Sequence, residues 1–227
     1  MRPQADDRMT GPDQRLLLTA LLTAGCAAAL ASCSDVPAAA PPPTQTETTA
    51  PPSAPPVPST APASWPDVDG LPQRPLATAE RAATVLLFVA TDCPISNGYT
   101  PEINRIAGEY GPKGVAFFAV HADLSVEPDA ARTHAAEFGY RCPVLLDADQ
   151  RLARRVGATV TPEAAVLGPD GRVAYLGRID DLYAGYGKRR HAPTSRELRD
   201  ALDAVLAGRP VARARVPGIG CEIPPAR

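Results

Sequence analysis

Two uninterrupted apolar runs constrain this chain's fold more than any other feature. Thr84 to Ala90 reads TVLLFVA and Val115 to Val120 reads VAFFAV. Neither alternates polar with apolar residues, so each predicts a strand covered on both faces, as in a parallel sheet sandwiched by helices. Between them Ile103, Ile106, Ala107 and Tyr110 recur at i, i+3, i+4 and i+7, the spacing of one helical face, and Gly111, Pro112 and Gly114 end that helix. A helix from about Glu127 to Phe138 stops at Gly139. Val144 to Leu146 reads as a short strand, and Asp149 to Val156 as a short helix closed by Gly157. Ala164 to Leu167 and Arg172 to Leu176 flank Gly168-Pro169-Asp170-Gly171, a hairpin signature. The last helix carries the stripe Leu198, Ala201, Leu202 and Val205, with Thr194 and Glu197 spaced as a capping box and Gly208 and Pro210 as its stop. The order βαβαβαββα predicts an α/β domain with a mixed central sheet, helices on both faces and the hairpin as an antiparallel edge.

The chemistry concentrates where the first strand ends. Cys93 is followed by Pro94, a residue suited to the first helical position, so Cys93 falls at a helix start and at the carboxyl end of a central strand. The amide dipoles there stabilise negative charge and favour a nucleophilic thiolate. Asp92 beside it opposes this effect. The bland reading of Cys93 is a small buried apolar side chain. His121 at the end of the second strand is a candidate base near Cys93, or a structural histidine. His134 lies mid-helix and reads as solvated. Lys188-Arg189-Arg190-His191 is a short basic loop, read as a solvated cap or a contact for an anion or partner, and Asp180 and Asp181 have no assigned role. No spacing of Cys and His resembles a zinc site, and no glycine-rich phosphate loop is present.

Phe88-Val89-Ala90-Thr91-Asp92-Cys93-Pro94-Ile95-Ser96 resembles the active-site stretch of thioredoxin-fold proteins. About 70 residues on, Val160-Thr161-Pro162 resembles the loop that carries that fold's cis-proline opposite the active cysteine. The extra strand and helix between Val115 and Phe138 match the longer redoxin type, the alkyl hydroperoxide reductase/thiol-specific antioxidant superfamily and its extracytoplasmic thioredoxin-like relatives. The resemblance spans roughly residues 71–208. It implies a thioredoxin-like fold, a redox-active Cys93, and Thr91, Pro94, Ser96, Thr161 and Pro162 as substrate-positioning residues. It calls for no cofactor and no metal.

The departures are as informative as the match. Ser96 stands where a second active-site cysteine would be, and exchange needs a second thiol to resolve the mixed disulfide. Peroxiredoxins place a threonine three residues and a proline seven residues before their cysteine, where this chain has Ala90 and Leu86. Copper-delivering relatives carry a second cysteine four residues on, where this chain has Asn97. Cys221, in the tail Pro217-Gly218-Ile219-Gly220-Cys221, is the favoured resolving thiol, and some redoxin-like sequences end in a similar Ile-Gly-Cys. Cys142, before Pro143, is the alternative, and a Cys142–Cys221 structural bridge is a third arrangement.

The front of the chain has another composition. Arg2, Arg8 and Arg15 precede a 16-residue apolar run, Leu16 to Ala31, shorter than the roughly 20 residues of a spanning helix. It ends in Leu30-Ala31-Ser32-Cys33, which resembles a bacterial lipobox with Cys33 as the lipidated residue; Thr23-Ala24-Gly25-Cys26 matches less well. Of the 27 prolines, 11 lie between Val36 and Pro66 with Glu47 as the single charge there. Such a segment has little to bury and reads as an extended tether, on the order of 100 Å at full reach. The expected organisation is a signal over residues 1–33, a disordered linker over 34–68, a redoxin domain over 69–209 and a tail over 210–227.

A net charge of −2, from 23 basic and 25 acidic residues, argues against a nucleic-acid partner. Together these features predict an extracytoplasmic thiol–disulfide oxidoreductase held to a bacterial membrane by an N-terminal lipid, or else secreted or periplasmic. Its partners are thiol or disulfide proteins and an external reductant. Peroxide reduction, and a redox-inert binding module, are the alternative functions.

Overall fold

The computed structural model describes residues 64–225. The signal run, Cys26, Cys33 and the linker up to residue 63 lie outside the described residues. Six strands form the central sheet: β1 (Ala83–Val89), β2 (Val115–His121), β3 (Val144–Leu146), β4 (Glu163–Leu167), β5 (Val173–Gly177) and β6 (Arg215–Val216). Four α-helices accompany them: α1 (Pro94–Tyr110), α2 (Pro128–Phe138), α3 (Arg151–Val156) and α4 (Glu197–Leu206).

The sheet order is β6-β5-β4-β1-β2-β3. β1, β2 and β3 pair in parallel, β4 is antiparallel to both β1 and β5, and β6 is parallel to β5. The mixed α/β sheet expected from the sequence is therefore present. The hairpin is not its edge, however. β4 lies next to β1 with all five residues buried, and the tail supplies β6 as the outer strand. The apolar run Ala164–Leu167 has no polar face to leave in water, which is why it is central.

The period of two along β1 sorts its side chains onto two cores. Ala83, Val85, Leu87 and Val89 meet Ile103, Ile106 and Tyr110 of α1, Ala131 of α2, and Leu198, Ala201 and Leu202 of α4. Leu86 and Phe88 meet Leu152, Ala153 and Val156 of α3 on the other face, together with Trp65. Helices thus cover both faces, and β1 delivers Cys93 to the start of α1.

Three further sequence expectations change. First, Trp65 and Val68, assigned to the linker, belong to the core; Trp65–Pro66 pairs with Pro72–Gln73, and Trp65 Nε1 donates to Asp147 Oδ1 at 3.3 Å. Asp147 also accepts the amides of Leu152 (3.1 Å) and Ala153 (2.9 Å), so one buried carboxylate fixes both Trp65 and α3. Second, the capping box does not form. Thr194 Oγ1 donates to Asp181 Oδ2, α4 begins at Glu197, and the Glu197 carboxylate takes Arg178, Arg213 and Ser195 instead. A buried carboxylate is better neutralised by guanidinium than spent on a cap. Third, His134 is buried, not solvated. Its Nε2 bonds Asn97 Oδ1 at 2.8 Å, and Asn97 Nδ2 donates to Thr91 O at 3.0 Å, so α2 is tied to the loop before Cys93.

The ring of His134 meets that of His121 edge-on, 5.1 Å apart. His121 is 1% exposed, and neither ring nitrogen has a hydrogen-bond partner. Burial, aided by His134, pushes its pKa down from 6.5 to about 4. Between these values the unfolded chain takes up a proton that the folded one does not. The titration of His121 thus takes nothing from stability above about pH 6.5 and destabilises the fold increasingly as the pH falls toward 4.

Two outcomes are expected from urea unfolding. Trp65→Ala loses about 3–5 kcal/mol through the cavity and the lost hydrogen bond to Asp147; a loss below about 1 kcal/mol would place Trp65 outside the cooperative core. Between pH 7 and pH 4.5 the wild type loses about 2 kcal/mol more than His121→Leu does. Equal losses would show that His121 does not carry this dependence.

Candidate active site

Cys93 is the N-cap of α1, with an extended backbone, and Pro94 takes the first helical position. No side chain caps the helix, so its first amides and their dipole face the cysteine. Cys93 is fully buried, and its Sγ donates to the carbonyl of Thr161 at 3.3 Å. The Thr161–Pro162 peptide is cis. Glu163 Oε2 accepts the Thr159 amide at 2.9 Å, which closes this loop on itself.

The tail lies directly on that loop. Cys221–Glu222 pairs antiparallel with Val160–Thr161, Cys221 opposite Thr161. Thr161 Oγ1 donates to Cys221 O at 3.4 Å, and the Ile223 amide donates to Thr159 O at 2.9 Å. Gln150 Nε2 donates to Pro224 O at 2.5 Å and to Ala122 O at 2.8 Å. Tyr186, on the loop between the short strands Tyr183–Gly185 and Lys188–Arg189, donates its hydroxyl to Gly220 O. The two tail glycines meet a need for space. A Cβ at 220 would overlap Thr161 O, and one at 218 would lie 3.1 Å from Val160 Cγ2.

This placement brings Cys221 beside Cys93, whose Sγ bonds the carbonyl of the same Thr161. Burial first, then the neighbouring Cys93, push the Cys221 thiol up to about 11. Cys93 and Cys221 are both free thiols in this state. Cys142 is placed otherwise. It lies before β3, against a cavity of about 260 Å³ lined by Asp67, Arg132 and Tyr140, and burial pushes its thiol up to about 11. Tyr140, pushed up to about 12 chiefly by burial, also feels the charges of Cys142 and Cys93.

The other expected positions separate. Pro94 is exposed and Thr91 half-buried at the rim, while Thr161 and Pro162 are buried beneath the tail. Ser96 is fully buried, and its Oγ accepts the Ala90 amide at 3.3 Å. It braces the turn before Cys93. Asp180 accepts the Tyr99 hydroxyl at 2.6 Å, and Tyr99 packs on Tyr183 at 5.2 Å, which fixes the hairpin bearing Tyr186 over α1. Asp181 accepts the Thr194 and Ser195 amides and pairs with Arg190 at 3.5 Å, so it organises the basic loop. Gln150, Tyr186 and the Asn97–His134 link are site residues that sequence reasoning missed. Only the left-handed backbone that Gln150 adopts before α3 leaves a local sign, and it is a structural one. Among the described residues no group of three or more His, Cys, Asp or Glu is placed to hold a metal ion.

Comparison with curated proteins gives no match. Among solved structures, an uncharacterized conserved protein from Geobacillus kaustophilus is 32% identical, with 72% of this chain and 89% of that one covered and a TM-score of 0.63. A hypothetical protein from Sinorhizobium meliloti 1021 is 30% identical, with 70% and 88% covered and a TM-score of 0.62. More distantly similar is a secreted Mycobacterium tuberculosis disulfide oxidoreductase, at 18% identity, 64% and 94% coverage and a TM-score of 0.44. The Redoxin family profile matches residues 57–183, which include β1, Cys93, the cis-proline and the hairpin. The chain belongs to the redoxin family, with its thioredoxin-like fold.

Proposed function

We propose that this redoxin is a thiol–disulfide oxidoreductase whose reacting pair is Cys93 and Cys221. The observation that carries the reading is the pairing of Cys221 with Thr161, which sets the second thiol beside Cys93 across the cis-proline loop. Cys93 is the nucleophile because it alone of the three described cysteines stands at a helix start, where the dipole favours a thiolate. Its thiolate attacks one sulfur of a substrate disulfide, forming a mixed disulfide and releasing the first substrate thiolate. Cys221, after giving up its proton, attacks the Cys93 sulfur and expels the second. The substrate gains two electrons as two thiols, and the enzyme keeps them missing as a Cys93–Cys221 disulfide. An external thiol reductant restores the starting state.

Disulfide exchange is preferred over peroxide reduction for a physical reason. Leu86 is wholly buried in β1, and Ala90 is half-buried with its amide on Ser96, so neither position supplies the hydroxyl or the turn that the peroxidase pattern uses. We also propose that the domain works outside the cytoplasm, tethered through a lipid on Cys33. The basic start, the short apolar run and Leu30-Ala31-Ser32-Cys33 support that reading.

The full chain, oxidised and then digested, is expected to yield a Cys93–Cys221 peptide by mass spectrometry. Reduction of insulin by the full chain with dithiothreitol as donor should fall at least tenfold in Cys93→Ser and stay within twofold in Cys142→Ser. A Cys142–Cys221 peptide, or full activity in Cys93→Ser, would contradict the assignment. Palmitate labelling in a bacterial host should be lost in Cys33→Ala; retained label would refute the tether.

A further inference from the structure

The two thiols differ in what reaches them. Cys93 is 0% exposed, while Cys221, packed against the same core, is part-exposed. The cover over Cys93 is specific. It is made by Thr161 and the strand Cys221–Glu222, and it is fastened at four places: the pairing with Val160–Thr161, the Ile223 amide on Thr159, the Gln150 side chain on Pro224, and the Tyr186 hydroxyl on Gly220. Ile223 also packs against the core formed with α3. A tail held this way is part of the domain surface beside Cys93, which has no exposed surface of its own.

Resting on the Cys93–Cys221 reading above, we infer that the docked tail divides the two half-reactions between the two sulfurs: external thiols attack the disulfide at Cys221, with Cys93 as the leaving group. The chemistry favours the same choice. In thiol–disulfide exchange the sulfur whose thiolate is better stabilised leaves faster, and the start of α1 offers that stabilisation to Cys93. Cys221, pushed up to about 11, is the less favoured leaving group of the pair, and being part-exposed it is the sulfur a donor meets once bonded to Cys93. The step balances. A donor thiolate bonds to Cys221 Sγ, the Cys93–Cys221 bond breaks, and its electron pair leaves on Cys93. A second donor thiolate then attacks the mixed disulfide at the donor sulfur, releasing Cys221 as a thiolate that takes up a proton. Two donor thiols become one disulfide, and the enzyme gains two electrons. The donor class is a small thiol or a protein dithiol able to meet a strand at the domain surface. In the other half-reaction Cys93 acts on substrate only when the Cys221–Glu222 strand yields.

The test uses the oxidised full chain, brief exposure to glutathione and a quench with N-ethylmaleimide, with the adducts mapped by peptide mass spectrometry. Glutathione on Cys221 with maleimide on Cys93 is expected in at least tenfold excess over the reverse. A second arm uses Gly220→Ala, whose added Cβ overlaps Thr161 O and unseats the strand. There the share of glutathione on Cys93 should rise at least fivefold. Glutathione on Cys93 in the wild type, or an unchanged ratio in Gly220→Ala, overturns this inference and leaves the redox pair intact. Failure of the Cys93–Cys221 disulfide to form overturns the pair itself and the inference with it.

Discussion

The pairing of Cys221–Glu222 against Val160–Thr161 is the contact on which the site depends. Cys93 comes with the fold, because β1 must end at the sheet's carboxyl edge and α1 must begin there. The second thiol does not. It reaches Cys93 only because the chain runs on past α4, adds β6 to the sheet edge through Arg215–Val216 on β5, and crosses to the cis-proline loop. β6 therefore has two effects at once. It satisfies the open edge of the sheet, and it aims the remaining residues at Cys93.

The surroundings hold this geometry by polar contacts that reach across the chain. Asp147 ties Trp65 to α3, and Gln150, just before α3, ties the tail to Ala122 at the end of β2. His134 ties α2 through Asn97 to Thr91 in the turn before Cys93. Each tie joins an element that packs the sheet to a segment that shapes the site. Buried polar groups of this kind cost free energy when left unpaired, so they favour one arrangement of the loops over others. Among the exceptions are the two ring nitrogens of His121, which carry a desolvation cost without a partner.

Much of this was legible in the residues, for identifiable reasons. β1, β2 and β3 follow from unbroken apolar runs, and α1 from its i, i+3, i+4, i+7 stripe, because burial on both faces leaves a local mark. Cys93-Pro94 and Thr161-Pro162 announced themselves through proline, whose restricted backbone makes position readable. The tail left no such mark. Val211, Val216 and Ile219 have neither helical nor strand period, and its strands are two residues long, formed by partners some 40 to 60 residues away. Its glycines serve close approach to Val160 and Thr161, which no local pattern announces. Trp65 was masked by the proline-rich context, and His134 by the polar helix around it, since its burial comes from Asn97 and His121 on other elements. Thr194 and Glu197 had the spacing of a cap, but Asp181 and Arg178 competed for them more strongly.

The central claim is that one intramolecular pair, Cys93 with Cys221, stores the electrons. A redox titration of the full chain against glutathione buffers tests it most directly, followed by the fraction of free thiols. The account predicts a single transition with the slope of a two-electron couple, independent of protein concentration, kept in Cys142→Ser and lost in Cys93→Ser and in Cys221→Ser. A transition that survives in Cys221→Ser but disappears in Cys142→Ser would contradict it.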